Sequence, residues 1–118
     1  MTLRDVKEIL DAEVLVGEDQ LDKEVKTGAS ADLMSDALAF AKTGSVLLTG
    51  LTNPQIVWTS HVLDIAAVVI VRGKRPLPDT VKLAQEMCMP ILLTKYMLYE
   101  ATGRLYTRGM LGCIEKVD

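Results

Sequence analysis

Aromatic side chains are scarce in this chain of 118 residues, which holds one Phe, one Trp and three Tyr. A packed interior must therefore come from Leu, Val, Ile, Ala and Met, the bulk of a 49% hydrophobic content. Histidine occurs once, as His61, and cysteine twice, as Cys88 and Cys113, without a C-x-x-C spacing. One imidazole and two scattered thiols do not supply the ligand set of a transition-metal site. Both cysteines stand among apolar residues, which predicts two buried, reduced thiols and a cytoplasmic setting. No apolar run approaches the ~20 residues of a membrane span, and the opening Met1-Thr2-Leu3-Arg4-Asp5-Val6 lacks the long apolar stretch of a secretion signal. Neither a Gly-Lys-Ser/Thr phosphate loop nor a G-x-G-x-x-G fingerprint is present. What remains is an aliphatic chain sized for one domain over 1–118, where folding removes about two-thirds of the unfolded surface from water.

Charge is unevenly spread. Residues 1–36 carry ten acids and four bases, a net of −6, and residues 37–118 carry six acids and nine bases, a net of +3. The sum is −3, a balance that argues against non-specific nucleic-acid binding, which needs a strong positive field. The local positive excess after residue 70 suits a small anion.

Hydrophobic periodicity lays out the elements. Thr2 caps a helix through Leu10, with Asp5 reinforcing its positive end and Leu3, Val6 and Leu10 on one face. A short strand follows over 12–16. A further extended segment over 24–29 contains Gly28 and alanine, residues of low strand propensity. Asp32 is placed to cap a helix over 33–41, with Leu33, Ala37 and Phe40 on one side. Strands over 45–49, 66–71 and 91–94 then alternate with helices. The first of these helices opens at Pro54 after an Asn53 cap, the second runs from Pro78 to about Cys88, and the third covers 97–105. Such alternation predicts an α/β fold with a largely parallel central sheet, right-handed crossovers, and the two early strands at the sheet edge or in a subunit contact.

Three strand ends then stand out, because ligands of α/β proteins collect at the carboxyl edge of the sheet. The first is Thr49-Gly50-Leu51-Thr52-Asn53-Pro54, where Thr49, Thr52, the Gly50 turn and the helix amides after Asn53 can hold a phosphate or carboxylate. Capping by Asn53 with Pro54 at the first helical position accounts for the same residues without a ligand. The second is Arg72-Gly73-Lys74-Arg75-Pro76, whose guanidinium groups suit a phosphate clamp, with Lys74 between them. The third is Thr94-Lys95-Tyr96, where Lys95 adds charge and Tyr96 a stacking face. His61 follows Ser60 directly, so the two point to different helix faces and do not make a nucleophile and its base. Asp32, Asp36 and Asp64 are dispersed carboxylates. No catalytic apparatus emerges.

In order, Leu33-Met34-Ser35-Asp36, then Leu47 to Gln55, then Asp64 to Pro76, then Leu92 to Ala101 resemble a DRTGG domain over nearly the whole chain. The signature departs from the family's in two places: Thr49-Gly50-Leu51 stands for Thr-Gly-Gly, and no Asp-Arg pair precedes it. The resemblance implies an α/β domain similar to the N-terminal domain of HPr kinase/phosphorylase. Such domains occur alone, or joined to phosphotransacetylases and to pyrophosphatases with CBS domains. It implies a non-catalytic regulatory or dimerising module. The combined expectation is a homodimeric regulatory or small-ligand-binding domain without a cofactor, metal, nucleic acid or membrane. One version senses an adenine nucleotide or other phosphorylated metabolite through the three loops; in another the domain is a structural adaptor for a partner enzyme.

Overall fold

The structure, a computed structural model, describes residues 1–118. Its order is α1 (Leu3–Ile9), β1 (Glu13–Val16), β2 (Gly28–Ser30), α2 (Met34–Phe40), β3 (Val46–Thr49), α3 (Pro54–Val62), β4 (Ala67–Ile70), α4 (Pro78–Glu86), β5 (Ile91–Leu93) and α5 (Leu98–Thr107). The five strands form one sheet in the order β1-β5-β4-β3-β2. β2 to β5 are parallel, and β1 lies antiparallel to β5 at one edge. The mostly parallel α/β expectation is met, and both early strands are edges.

Alternation along the inner strands divides the interior in two. Val46, Leu48, Ala67, Val69 and Leu92 face a cluster that also holds Leu3, Val6, Leu10, Ala101 and Leu105, so α1 and α5 cover that side. Leu47, Val68, Ile70, Ile91 and Leu93 face the other cluster, with Ala37, Ile56, Val57 and Ala84 from α2, α3 and α4. A strand buried on both faces reads as an unbroken aliphatic run, which is why the inner strands were legible. Each fully buried Leu or Ile contributes roughly 1.5–3 kcal/mol of transfer free energy.

Several local expectations fail for identifiable reasons. The early segment over 24–29 is a strand only from Gly28, while Glu24 makes a single bridge to Thr2. Asp32 caps nothing: α2 begins after Leu33 without a side-chain cap, and Leu33 and Phe40 point outward, leaving Ala37 as the buried residue of the helix. Asn53 does precede Pro54 at the helix start, but its side chain makes no capping bond. α4 stops at Glu86, which leaves Cys88 in a left-handed turn (φ 53°) and exposed; Cys113 is half-buried. The expected burial of both thiols is therefore wrong. Thr2 caps α1 as expected, in a reciprocal box with Asp5.

Candidate functional site

Because β2 to β5 are parallel, the loops after Ser30, Thr49, Ile70 and Leu93 emerge at one edge, and antiparallel β1 brings Glu13 there beside Leu93. The helices that follow do not all turn the same way. After β4 the chain crosses to α4 on one face; after β5 it crosses to α5 on the other. The chain thus leaves β4 and β5 toward opposite faces, a switch point of the kind beside which open α/β sheets hold ligands. A cleft of about 580 Å³ lies there, with Leu10, Asp11 and Glu13 on one side and Gly73, Arg75, Thr94, Lys95 and Tyr96 on the other.

Main-chain bonds fix the two loops to each other. Arg72 and Gly73 both adopt positive φ, 53° and 64°, and form a tight turn closed by Lys74 N–H on the Val71 carbonyl. That turn donates from Arg72 N–H to the Tyr96 carbonyl at 2.7 Å and from Gly73 N–H to the Thr94 carbonyl at 2.8 Å. Gly73 is the suitable residue for the second of these left-handed positions; Arg72 adopts the first at a conformational cost. Thr94 is buried, and its hydroxyl donates to the Leu10 carbonyl at 2.7 Å while accepting from Tyr96 N–H at 3.3 Å. Thr94 is thus a brace for the loop, with its hydroxyl committed to the main chain.

At the end of β3, Thr49 is also buried, and the turn closes on a carboxylate from the neighbouring loop. Asp32 Oδ1 accepts from Gly50 N–H at 2.7 Å and from the Thr49 hydroxyl at 3.3 Å, and Thr49 Oγ1 accepts from Leu51 N–H at 3.1 Å. Thr52 reaches the next loop through its carbonyl, which accepts from Leu77 N–H and from the Thr80 hydroxyl. Asn53 is exposed beside it. Arg72 leans over Gly50: a Cβ there would stand 3.2 Å from its Nε and 3.3 Å from its Nη2. Glycine thus lets the guanidinium lie against the main chain.

The cations divide into paired and unpaired. Arg75 forms a two-bond contact with Glu13, at 2.9 and 3.4 Å. Arg72, Lys74 and Lys95 are exposed and take part in none of the four ion pairs. Lys95 Cγ packs 3.7 Å from where a Gly73 Cβ would be, which places Lys95 against the turn. Tyr96 is half-buried, and one face carries the Arg104 guanidinium 4.1 Å from the ring centre, itself held by Glu100 at 3.2 Å. The ring is thereby oriented by a cation on one side. Sequence spacing had brought Arg72, Lys74, Lys95 and Tyr96 to one edge. It missed Asp32, Glu13 and Arg104, of which only Arg104, four residues after Glu100, left a signal in the chain.

Elsewhere, His61 is exposed and stacked on Trp58 with ring centres 6.0 Å apart. No group of three His, Cys, Asp or Glu side chains comes together as a metal site. No helix is long and apolar enough to cross a membrane.

With this architecture, the chain belongs to the DRTGG domain family, whose profile matches residues 5–107. Its fold is similar to that of the CBS and DRTGG domains of the regulatory region of Clostridium perfringens pyrophosphatase, solved with the activator diadenosine tetraphosphate. The TM-score is 0.73 and the identity 17% over 88% of this chain. The match takes in 45% of that chain, so this chain spans less than half its length. A likeness at such identity establishes fold alone. No curated protein matches the sequence.

Proposed function

We propose that this DRTGG domain is a non-catalytic regulatory module that binds a phosphate-bearing small ligand, an adenine nucleotide foremost, at the edge formed by the loops after β3, β4 and β5. The observation that carries the reading is the cleft at the strand ends, lined by Lys95 and Tyr96, beside a turn whose Arg72 and Lys74, like Lys95, have no carboxylate partner. Cations left without carboxylate partners favour an anion at this edge. In this reading Arg72 is the main phosphate contact, Lys74 and Lys95 add charge, and Tyr96, oriented by Arg104, offers its other face to a base. Thr52, Asn53 and the first amides of α3 border the same edge; Thr49, Gly50 and Thr94 shape it from within.

The family and the regulatory context of the pyrophosphatase neighbour, whose complex contains a dinucleotide activator, support the choice of a nucleotide. The finer likeness to the N-terminal domain of HPr kinase/phosphorylase belongs to the same reading. So does a cytoplasmic homodimer: Leu33 before α2, Leu38 in it, and Trp58 and Val62 of α3 leave apolar surface uncovered, and both thiols are unbonded.

A thermal-shift series with ATP, ADP, AMP, diadenosine tetraphosphate and inorganic phosphate tests the proposal. A ligand at about a hundred times its Kd adds roughly 2.7 kcal/mol to the folded state, a shift of several degrees. Arg72→Ala should abolish that shift. If none of these compounds moves the melting temperature, the ligand reading fails; a partner enzyme then retained on the purified chain marks a structural adaptor instead. Light scattering decides the dimer.

A further inference from the structure

We infer that Asp32 is a latch, a built-in anion that holds the Gly50 amide while the site is empty and yields it to a ligand anion, so that binding is felt in α2. This rests on the ligand reading above and adds its regulation. An amide at the end of a parallel strand, in front of a helix, is where an incoming phosphate or carboxylate finds a donor. Here that donor is already filled from within the chain, at 2.7 Å, with the Thr49 hydroxyl as a second contact at 3.3 Å. Asp32 does no work for its own helix, since α2 starts without a side-chain cap. Its carboxylate is exposed to water and sits on the short connection between β2 and α2, so leaving needs no disruption of the interior.

Charge decides the competition. Arg72 lies against the same Gly50 but forms no ion pair with Asp32. A phosphate brought in by Arg72 meets a like charge beside the Gly50 amide, and gains that amide only as Asp32 withdraws. Withdrawal frees the residues that lead into α2, where Leu33 just before the helix and Leu38 within it are exposed. By linkage, anything that holds Asp32 on Gly50 weakens the anion, and the anion loosens α2 to the same degree.

The test titrates inorganic pyrophosphate into uniformly ¹⁵N-labelled wild type, Asp32→Asn, Asp32→Ala and Arg72→Ala. Asp32→Asn keeps an acceptor for Gly50 and guards the fold; circular dichroism melts check both Asp32 variants. Pyrophosphate should bind Asp32→Asn at least tenfold tighter than wild type and Asp32→Ala tighter still. In wild type the Gly50 resonance should shift on binding, with faster amide exchange over residues 33–37. Asp32→Ala, which leaves Gly50 without that acceptor, should show the faster exchange before any pyrophosphate is added. Equal or weaker binding by both Asp32 variants, with exchange in α2 unchanged, overturns the latch. If Arg72→Ala meanwhile loses binding, the anion site stands and Asp32 is a plain structural clasp. If Arg72→Ala binds pyrophosphate as wild type does, the site itself is wrong and the latch falls with it.

Discussion

Arg75 and Glu13, 62 residues apart, are joined by two hydrogen bonds, Nη2 to Oε1 at 2.9 Å and Nη1 to Oε2 at 3.4 Å. The pair spans the cleft edge from the loop after β4 to the start of β1 and withdraws one guanidinium from a cluster that the sequence presents as a unit. Both side chains are more than half exposed, at 65% and 54%, so the pair contributes only about 0.2–1 kcal/mol to stability. Glu13→Gln should leave the urea midpoint nearly unchanged while freeing Arg75. Titration calorimetry with ATP should then show tighter binding than wild type, with a steeper dependence on salt. Binding left unchanged by Glu13→Gln would remove Arg75 from the ligand's reach.

Gly50 presents a sharper case. Its φ is not in the left-handed region, so alanine suits the main chain. The added methyl would nevertheless stand 3.2 Å from Arg72 Nε, closer than ordinary packing, and the flexible guanidinium must move away. Gly50→Ala should cost no more than about 1 kcal/mol of stability. It should still weaken nucleotide binding in the same direction as Arg72→Ala. A Gly50→Ala variant with a full ATP-induced thermal shift would show that the seating of Arg72 on Gly50 is irrelevant to binding.

The contrast between these residues explains what the sequence reveals. Val46 to Thr49 and Ala67 to Ile70 were readable because burial on both sheet faces forces continuous aliphatic runs. Gly28 to Ser30 is an edge strand three residues long, and its small residues carry almost no local preference. Arg72, Lys74, Lys95 and Tyr96 could be gathered by position alone, since each follows a parallel strand directly. The side chains that pair with or orient their neighbours at this edge could not. Asp32 obeys every local rule for a helix cap, yet the Gly50 amide is an unfilled donor 18 residues away and wins the carboxylate. Glu13 meets Arg75 only because β1 runs antiparallel, a choice set by tertiary packing and invisible in the spacing.

At the other end of the molecule, Asp5 gives a pH dependence whose sign is fixed by geometry. Thr2 N–H donates to Asp5 Oδ2 at 2.9 Å, and the Thr2 hydroxyl accepts from Asp5 N–H at 3.3 Å. The main-chain bond from Thr2 is the chief cause holding the Asp5 carboxyl below its ordinary 3.8. A group with a lowered pKa in the folded state adds stability above its unfolded pKa and loses it as pH falls through the folded one. Asp5→Asn should therefore be less stable than wild type by a constant margin above about pH 5, and the margin should shrink below the ordinary carboxylate value. Urea midpoints across that range check it; a margin that persists in strong acid would mean that the carboxylate charge is not the cause.

Ser60 carries the opposite kind of prediction, a substitution that should help. Its side chain is fully buried in α3, and its hydroxyl has no hydrogen-bond partner. An unsatisfied buried hydroxyl costs about 1–3 kcal/mol, and alanine at the same place keeps the Cβ, removes the orphaned oxygen and favours the helix. The space left by one oxygen forfeits some packing contacts, a smaller opposing effect. Ser60→Ala should therefore raise the melting temperature by a few degrees, on the order of 1 kcal/mol. Ser60→Val, which adds bulk at a fully buried position, should lower it by about 1–3 kcal/mol. Together the two variants separate polarity from volume, because only the first removes the hydroxyl without enlarging the side chain. A loss of stability in Ser60→Ala comparable to that in Ser60→Val would mean that the hydroxyl is satisfied in solution, and that α3 is anchored at Ser60 by a polar contact.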